Sequence, residues 1–305
     1  MSKMKDMCLP LYGRLAPTQS SGGITPTGTK EITIEENGLF TEDVTNFAEA
    51  KITVNVSTGS SGDDLLDSVV SGQDNIDVLS VGSSKIRPYA FYKTTNIGRL
   101  VADNAESVGD YAFAGATSIT EISLSNATYL GKQVIDGSGV TSFYAPKVKE
   151  LYNFCFSYSK PKTLSLPSVE ICNSSAFDHC SNLEELYLPK CVTMRGIVIS
   201  YCPNLRVLVL GAVNIASNTI YGDTPSLTLL KVDPPSSIYI PSIMQGSVVM
   251  ANIESVPILE GFSDNFSGGT ANIYVPDDLV DEFKVASNWS LFSDRIKPVS
   301  EYVEE

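Results

Sequence analysis

The sequence predicts a repeat solenoid. A parallel β-sheet forms one face, short turns or helical segments form the other, and a small β module precedes them. Three observations carry this expectation. A large apolar residue returns every 21 or 22 positions, at Phe91, Phe113, Ile135, Phe156, Phe177, Ile199 and Ile220. Eight or nine residues after each comes a short apolar alternation, as at Leu186 and Leu188. Pro146, Pro167 and Pro189, with Gly211 in the same column, then end the strand. So regular a period means one small unit stacked on copies of itself. Proline cannot donate to a sheet ladder, so it belongs at that boundary.

Composition agrees. Of 305 residues, 43% are hydrophobic and only 18% charged, a balance that favours strands and turns over long solvated helices. The 35 acidic residues outnumber the 21 basic ones, for a net charge of −14. Phosphate contacts draw on Lys and Arg, so nucleic acid is excluded as a partner, and an anionic membrane surface with it. No apolar run approaches the ~18 residues of a membrane span, so no membrane insertion is expected. The start, MSKMKDMCLPLYGRLAPTQ, is interrupted by Pro10, Gly13 and Arg14 and does not read as a secretory leader.

Taken in order, residues 1–29 read as an arm and linker. Residues 30–57, KEITIEENGLFTEDVTNFAEAKITVNVS, read as a small β module: strand, Asn-Gly turn, irregular crossing, strand. Ile32 and Ile34, then Ile52, Val54 and Val56, alternate with polar neighbours as half-buried strands do. Asn37-Gly38 is a hairpin-type turn signal. Residues 58–63 are a linker; PTQSSGG and STGSSGDD flank the module as flexible spacers. Residues 64–85 are a degenerate first repeat acting as a cap, because Val70 lies 21 before Phe91 and Leu79 lies 21 before Leu100.

Residues 86–235 hold seven repeats. The opening column is Ile86, Val108, Leu130, Leu151, Cys172, Met194 and Ile215. A small column precedes the anchors, running from Ala90 and Ala112 to Val198 and Thr219. Ile97, Ile119, Leu183, Leu205 and, one place late, Leu227 follow the anchors; Val140 is displaced and Pro161 breaks the rule. The inward strand column is Leu100, Ile122, Phe143, Leu164, Leu186, Leu208 and Leu229. No unit can bury its apolar face alone, so stacking supplies the core.

Residues 236–305 read as irregular repeats and a helical cap. SIYIP at 237–241 and NIYVP at 272–276 are strand-then-proline units. Asp277 to Lys297 reads as a short helix, with Asp277, Asp278 and Asp281 at its N-terminus and Leu279, Phe283 and Ala286 inward. Trp289, Phe292 and Ile296 continue the apolar contact.

The cysteines follow the repeat phase. Cys155 falls in the small column, Cys172 in the opening column, and Cys191 in a column with Ala105, Ala127, Val148, Val169 and Val213. Cys180 and Cys202 share one position in successive repeats, which leaves a disulfide between them open. Buried thiols are the expectation. The lone histidine, His179, lies in a turn beside Asp178; a Ser-His-Asp set needs separate elements converging on one pocket. One histidine with scattered cysteines gives no zinc site. Gly22-Gly23 and Gly268-Gly269 are linkers or turns and not phosphate loops, and Asp63-Asp64 and Asp277-Asp278 are read as caps. No catalytic, cofactor or metal residues are expected, and the chain is read as no enzyme.

VGDYAFAGATSITEISLSNAT and SSAFDHCSNLEELYLPKCVT resemble BspA-type leucine-rich repeats, and IYVPDDLVDEFKVASNWSLFSDRIKP is similar to their closing segment. Ile135, Ile199 and Ile220 stand where that pattern has Phe, and SYSKPKTL lacks its central Leu. The resemblance implies a curved solenoid and binding, often to host surfaces or matrix components, rather than chemistry. It carries no fixed set of functional residues. Residues 30–57 resemble a short motif of tail and baseplate proteins from phages and prophages of Gram-positive gut bacteria.

Between the inward strand residues lie side chains on the sheet exterior. One row is Val101, Ser123, Tyr144, Ser165, Tyr187, Val209 and Leu230; the other is Arg99, Glu121, Ser142, Thr163, Glu185, Val207 and Thr228. Tyr144 and Tyr187 are of a type enriched in contact surfaces. Val207, Val209 and Leu230 would add an apolar patch. With Glu121 and Glu185 they form the candidate partner-binding set. The partner expected is a host-cell surface protein or glycan, with tail or baseplate proteins meeting residues 1–57, and self-association is compatible with either. The leading expectation is a tail-associated adsorption protein located in a virion. The alternative is a bacterial cell-surface adhesin; against it, PVSEYVEE carries no wall-sorting tail.

Overall fold

Each unit of 21 or 22 residues makes one turn of a three-sided coil. A computed structural model describes residues 29–35, 49–55, 76–82, 84–95, 97–216, 219–221, 227–240, 246–260 and 270–303. The Asn37-Gly38 turn, the spacer 58–63, Val70, Cys8 and the pairs Gly22-Gly23, Asp63-Asp64 and Gly268-Gly269 lie outside these residues.

The front side is the strand side. Thr29–Glu35, Glu49–Asn55, Ile76–Val81, Ile97–Val101, Glu121–Ser123 and Ser142–Tyr144 form a six-stranded sheet. Thr163–Ser165, Glu185–Leu188, Val207–Leu210, Leu229–Lys231, Ser247–Val249, Asn272–Val275 and Ile296–Pro298 form a seven-stranded one. Neighbouring strands are parallel, as single-handed coiling demands. Ser142–Tyr144 and Thr163–Ser165 are neighbours without a shared ladder. Buried Pro161, in the column just before that step, supplies no N–H.

The opening column makes the second side. Lys85–Ile86, Ser107–Val108, Tyr129–Leu130, Glu150–Leu151, Ile171–Cys172 and Thr193–Met194 form a sheet of two-residue strands. The anchors turn the third corner, and its last turns pair as Phe177–Asp178, Ile199–Ser200 and Ile220–Tyr221.

The core is the row of anchors. Phe91, Phe113, Ile135, Phe156, Phe177 and Ile199 have no exposed surface, and Leu100, Ile122, Leu164, Leu186 and Leu208 close over them from the front. The Phe91 and Phe113 rings stack at 5.5 Å and 8°. Burial of each such side chain contributes roughly 1.5–3 kcal/mol. Between turns, Asp103 Oδ1 accepts from Ser123 Oγ (2.7 Å), Ser125 N–H (3.0 Å) and Ser125 Oγ (2.6 Å). Trp289, fully buried in the cap, donates from Nε1 to the Pro257 carbonyl at 2.7 Å.

Four expectations are corrected. Thr29–Glu35 and Glu49–Asn55 pair in parallel, Ile32 opposite Ile52, and then join Ile76–Val81, so these two strands are not the antiparallel arms that an Asn-Gly hairpin signal implies. SIYIP does not make a front strand: Ser237–Ile238 pairs with Ile258–Leu259 in a side sheet, and Ser247–Val249 takes the front position. Asp277–Lys297 is not one helix. It runs as a 3-10 turn Asp277–Leu279, a helix Val280–Val285, a 3-10 turn Trp289–Phe292, and a strand from Ile296. Extended Ala286 and left-handed Asn288 (φ 68°) break it. Asp277 does not cap that segment; its Oδ1 accepts the Ser300 N–H at 3.1 Å.

Candidate functional site

The outward row of the front sheet brings most of the expected set together. Tyr187 lies between Ser165 and Val209 on adjacent strands, and Val209 is opposite Lys231. Tyr144 pairs with Ser123. Tyr144, Tyr187, Val209, Glu121 and Glu185 are all half-buried. Tyr144 and Tyr187 lie two turns apart, with Ser165 in the turn between them.

Two members do not sit there as expected. Leu230 is fully buried and pairs with Leu208, while Leu229 takes the outward place opposite Val207. The seventh unit has one residue more between Ile220 and Leu227 than counting from the anchor allows. A one-residue slip exchanges the two faces of a strand. Val207 is only 9% exposed. The apolar patch thus shrinks to Val209 and Leu229, with Lys231 beside them.

The carboxylates are already engaged. Arg99 Nη1 meets Glu121 Oε2 at 3.5 Å. Arg206 Nη2 pairs with Glu185 Oε1, and its Nε lies 3.9 Å from Glu184 Oε2. The Tyr187 hydroxyl donates to Glu185 Oε2 at 3.1 Å, which lays the phenol back along its own strand. The face is a mixed polar and aromatic surface on which Glu121 and Glu185 are paired.

The histidine environment does not make a nucleophile. Asp178 Oδ2 lies 2.9 Å from His179 Nδ1, and Ser200 Oγ donates to Asp178 Oδ1 at 2.6 Å. The carboxylate thus stands between serine and imidazole, whereas an activated serine must bond the imidazole itself. Among the described residues no group of three or more His, Cys, Asp or Glu side chains is placed to hold a metal ion. None of their helices is long and apolar enough to cross a membrane.

Cys155, Cys172, Cys180, Cys191 and Cys202 are buried free thiols. Cys180 donates to the Phe156 carbonyl at 3.1 Å and Cys202 to the Phe177 carbonyl at 3.2 Å. Each thus caps the anchor of the preceding turn, a polar task beyond the space-filling read from the sequence. Burial pushes the Cys155 thiol up to about 12. Such thiols are inert at neutral pH.

Sequence reasoning missed a second surface. Beside the anchors, on the third corner, Tyr158, His179 and Tyr201 stack in a row. Their spacing of 21 and 22 residues is the repeat period itself, so the signal was present.

Residues 84–211 match the BspA type leucine rich repeat region, in six copies. Those copies coincide with the first six repeats read from the sequence, and the fold is a parallel β-solenoid built on BspA-type repeats. Solenoids of this repeat class are typically binding proteins rather than enzymes, and the surface proteins among them generally bind surface or host molecules.

Two solved structures match the chain at low identity. A leucine rich cell surface protein from Faecalibacterium prausnitzii A2-165 is 11% identical, with 84% of this chain and 89% of that chain covered, at a TM-score of 0.33. The pneumococcal vaccine antigen PcpA is 14% identical, with 88% and 77% covered, at a TM-score of 0.30. No curated protein matches the chain.

Proposed function

We propose that this chain is a non-catalytic binding protein of the cell-surface adhesin type, which meets a host matrix or surface protein through its front sheet. One observation carries the reading: the outward row places Tyr187 directly beside Val209, with Tyr144 further along the same row, on a rigid parallel sheet. Tyrosine loses little side-chain entropy on contact and offers both a flat apolar ring and a hydroxyl. Paired carboxylates at Glu121 and Glu185 lower the cost of covering the face.

The BspA-type match over 84–211 supports the surface reading, because that resemblance implies contact with host surfaces. The adsorption reading rests on the resemblance of residues 30–57 and on a start that does not read as a secretory leader, and the family match begins after those residues. The adhesin reading is therefore preferred, with the cell surface as the location.

The test is binding of the whole chain to a panel of immobilised extracellular-matrix proteins. Replacing Tyr144, Tyr187 and Val209 together by alanine is expected to lower affinity at least tenfold while the melting transition stays cooperative. Unchanged affinity would place the contact elsewhere.

A further inference from the structure

The residue two places after each anchor takes the left-handed conformation in six successive turns: Lys93, Gly115, Gly137, Tyr158, His179 and Tyr201, with φ between 51° and 67°. Glycine is the residue this backbone favours, and two turns use it. The next three carry Tyr, His and Tyr instead. Bulky residues at positive φ are uncommon, and this coil also holds Tyr89, Tyr111 and Phe154 there, two places before the anchors.

The three rings form a continuous stack. Tyr158 lies 4.6 Å from His179 at 14°, and His179 lies 4.6 Å from Tyr201 at 29°. Tyr158 is 54% exposed, the most of any tyrosine described. With Ser181 and Pro203 the rings line an open depression of about 340 Å³. Toward the N-terminus, a Cβ added at Gly137 would meet nothing within 4 Å. Space therefore opens beside the Tyr158 ring, where the column passes from aromatic side chains to none.

We propose that this stack is a binding site for a neutral oligosaccharide. A sugar ring presents one apolar face and a rim of hydroxyls. Within the stack the inner ring faces cover one another, so the flat aromatic surface on offer is the outer face of Tyr158, beside Gly137; with the phenol groups and the Ser181 hydroxyl along the depression it makes the complementary pattern. The depression is open on one side, whereas a cationic group is held by rings enclosing it. The site deepens the binding reading of the chain, yet lies on a different side of the coil from Tyr144 and Tyr187.

The test uses the full chain and saturation-transfer NMR with cellohexaose, chitohexaose, mannohexaose and galactohexaose, with arginine as the cationic probe. At least one hexasaccharide is expected to bind. The Tyr158→Gly/Tyr201→Gly variant should weaken that binding at least tenfold and keep a cooperative melt, since Gly115 and Gly137 hold the same backbone in neighbouring turns. The Tyr144→Ala/Tyr187→Ala/Val209→Ala variant should bind the sugar like the unaltered chain. That arm separates this site from the front face, whose own failure would leave the sugar result standing. No sugar binding, binding that survives the glycine variant, or binding of arginine alone would each overturn the proposal.

Discussion

The Phe156 ring lies 5.6 Å from the Phe177 ring and 17° from parallel, with neither side chain exposed. The two belong to consecutive turns, and their backbones are joined as well: the Phe156 N–H donates to the Ala176 carbonyl at 2.9 Å. Each anchor thus fills the space that the next turn leaves, and the row runs through the middle of one continuous buried cluster.

Truncating one anchor should therefore open a cavity that no loop can fill. Phe177→Ala or Phe113→Ala is expected to cost ~3–5 kcal/mol. Urea denaturation followed by circular dichroism measures it, and an unchanged midpoint would show that the rings do not carry the core.

Asp103 ties one turn to the next. Burial raises its carboxyl, but hydrogen bonds from Ser125 and Ser123 outweigh that and hold it below the usual value of 3.8. A lowered folded pKa gives stability that is present above the unfolded value and lost as pH falls through the folded one. Asp103→Ala should cost ~1–3 kcal/mol at neutral pH, since it leaves the Ser125 N–H without its acceptor. Asp103→Asn should flatten the acid limb of the stability profile below pH 4, read by chemical denaturation across pH.

The buried thiols predict an alkaline limb. Cys155 keeps its proton in the folded chain up to about 12, because burial disfavours the thiolate, while the unfolded chain loses it near 9.0. The folded state then binds more protons, so stability is complete below the unfolded value and falls as pH rises toward the folded one. The slope is about 1.4 kcal/mol per pH unit for one such group. Cys155→Ala should flatten the fall between pH 9.5 and 11 by roughly that slope, and an identical slope in the variant would contradict the assignment.

Much of this was legible because the repeat writes each structural column at one interval. The anchors, the inward strand residues and the buried cysteine columns need only counting. Counting failed where the interval changed. The extra residue before Leu227 moved Leu230 into the core and Leu229 out. SIYIP has the alternation of a front strand, but the bridge between Ile215 and Ile238 seats it on the second side. The cap reads as one helix by apolar spacing, yet Asn288 turns left-handed within it. The stack of Tyr158, His179 and Tyr201 shares the period of everything else. It was passed over because its meaning depends on a backbone conformation that spacing does not show.

The claim that successive turns stack in parallel and in register is tested most directly by one distance. Spin labels on Thr120 and Thr228, both exposed and in equivalent places of turns five steps apart, should show a single narrow distribution in pulsed electron–electron resonance. Five strand spacings place it near ~24 Å. A broad distribution, or a maximum beyond ~35 Å, where five spacings of a sheet no longer reach, would contradict the stacked coil.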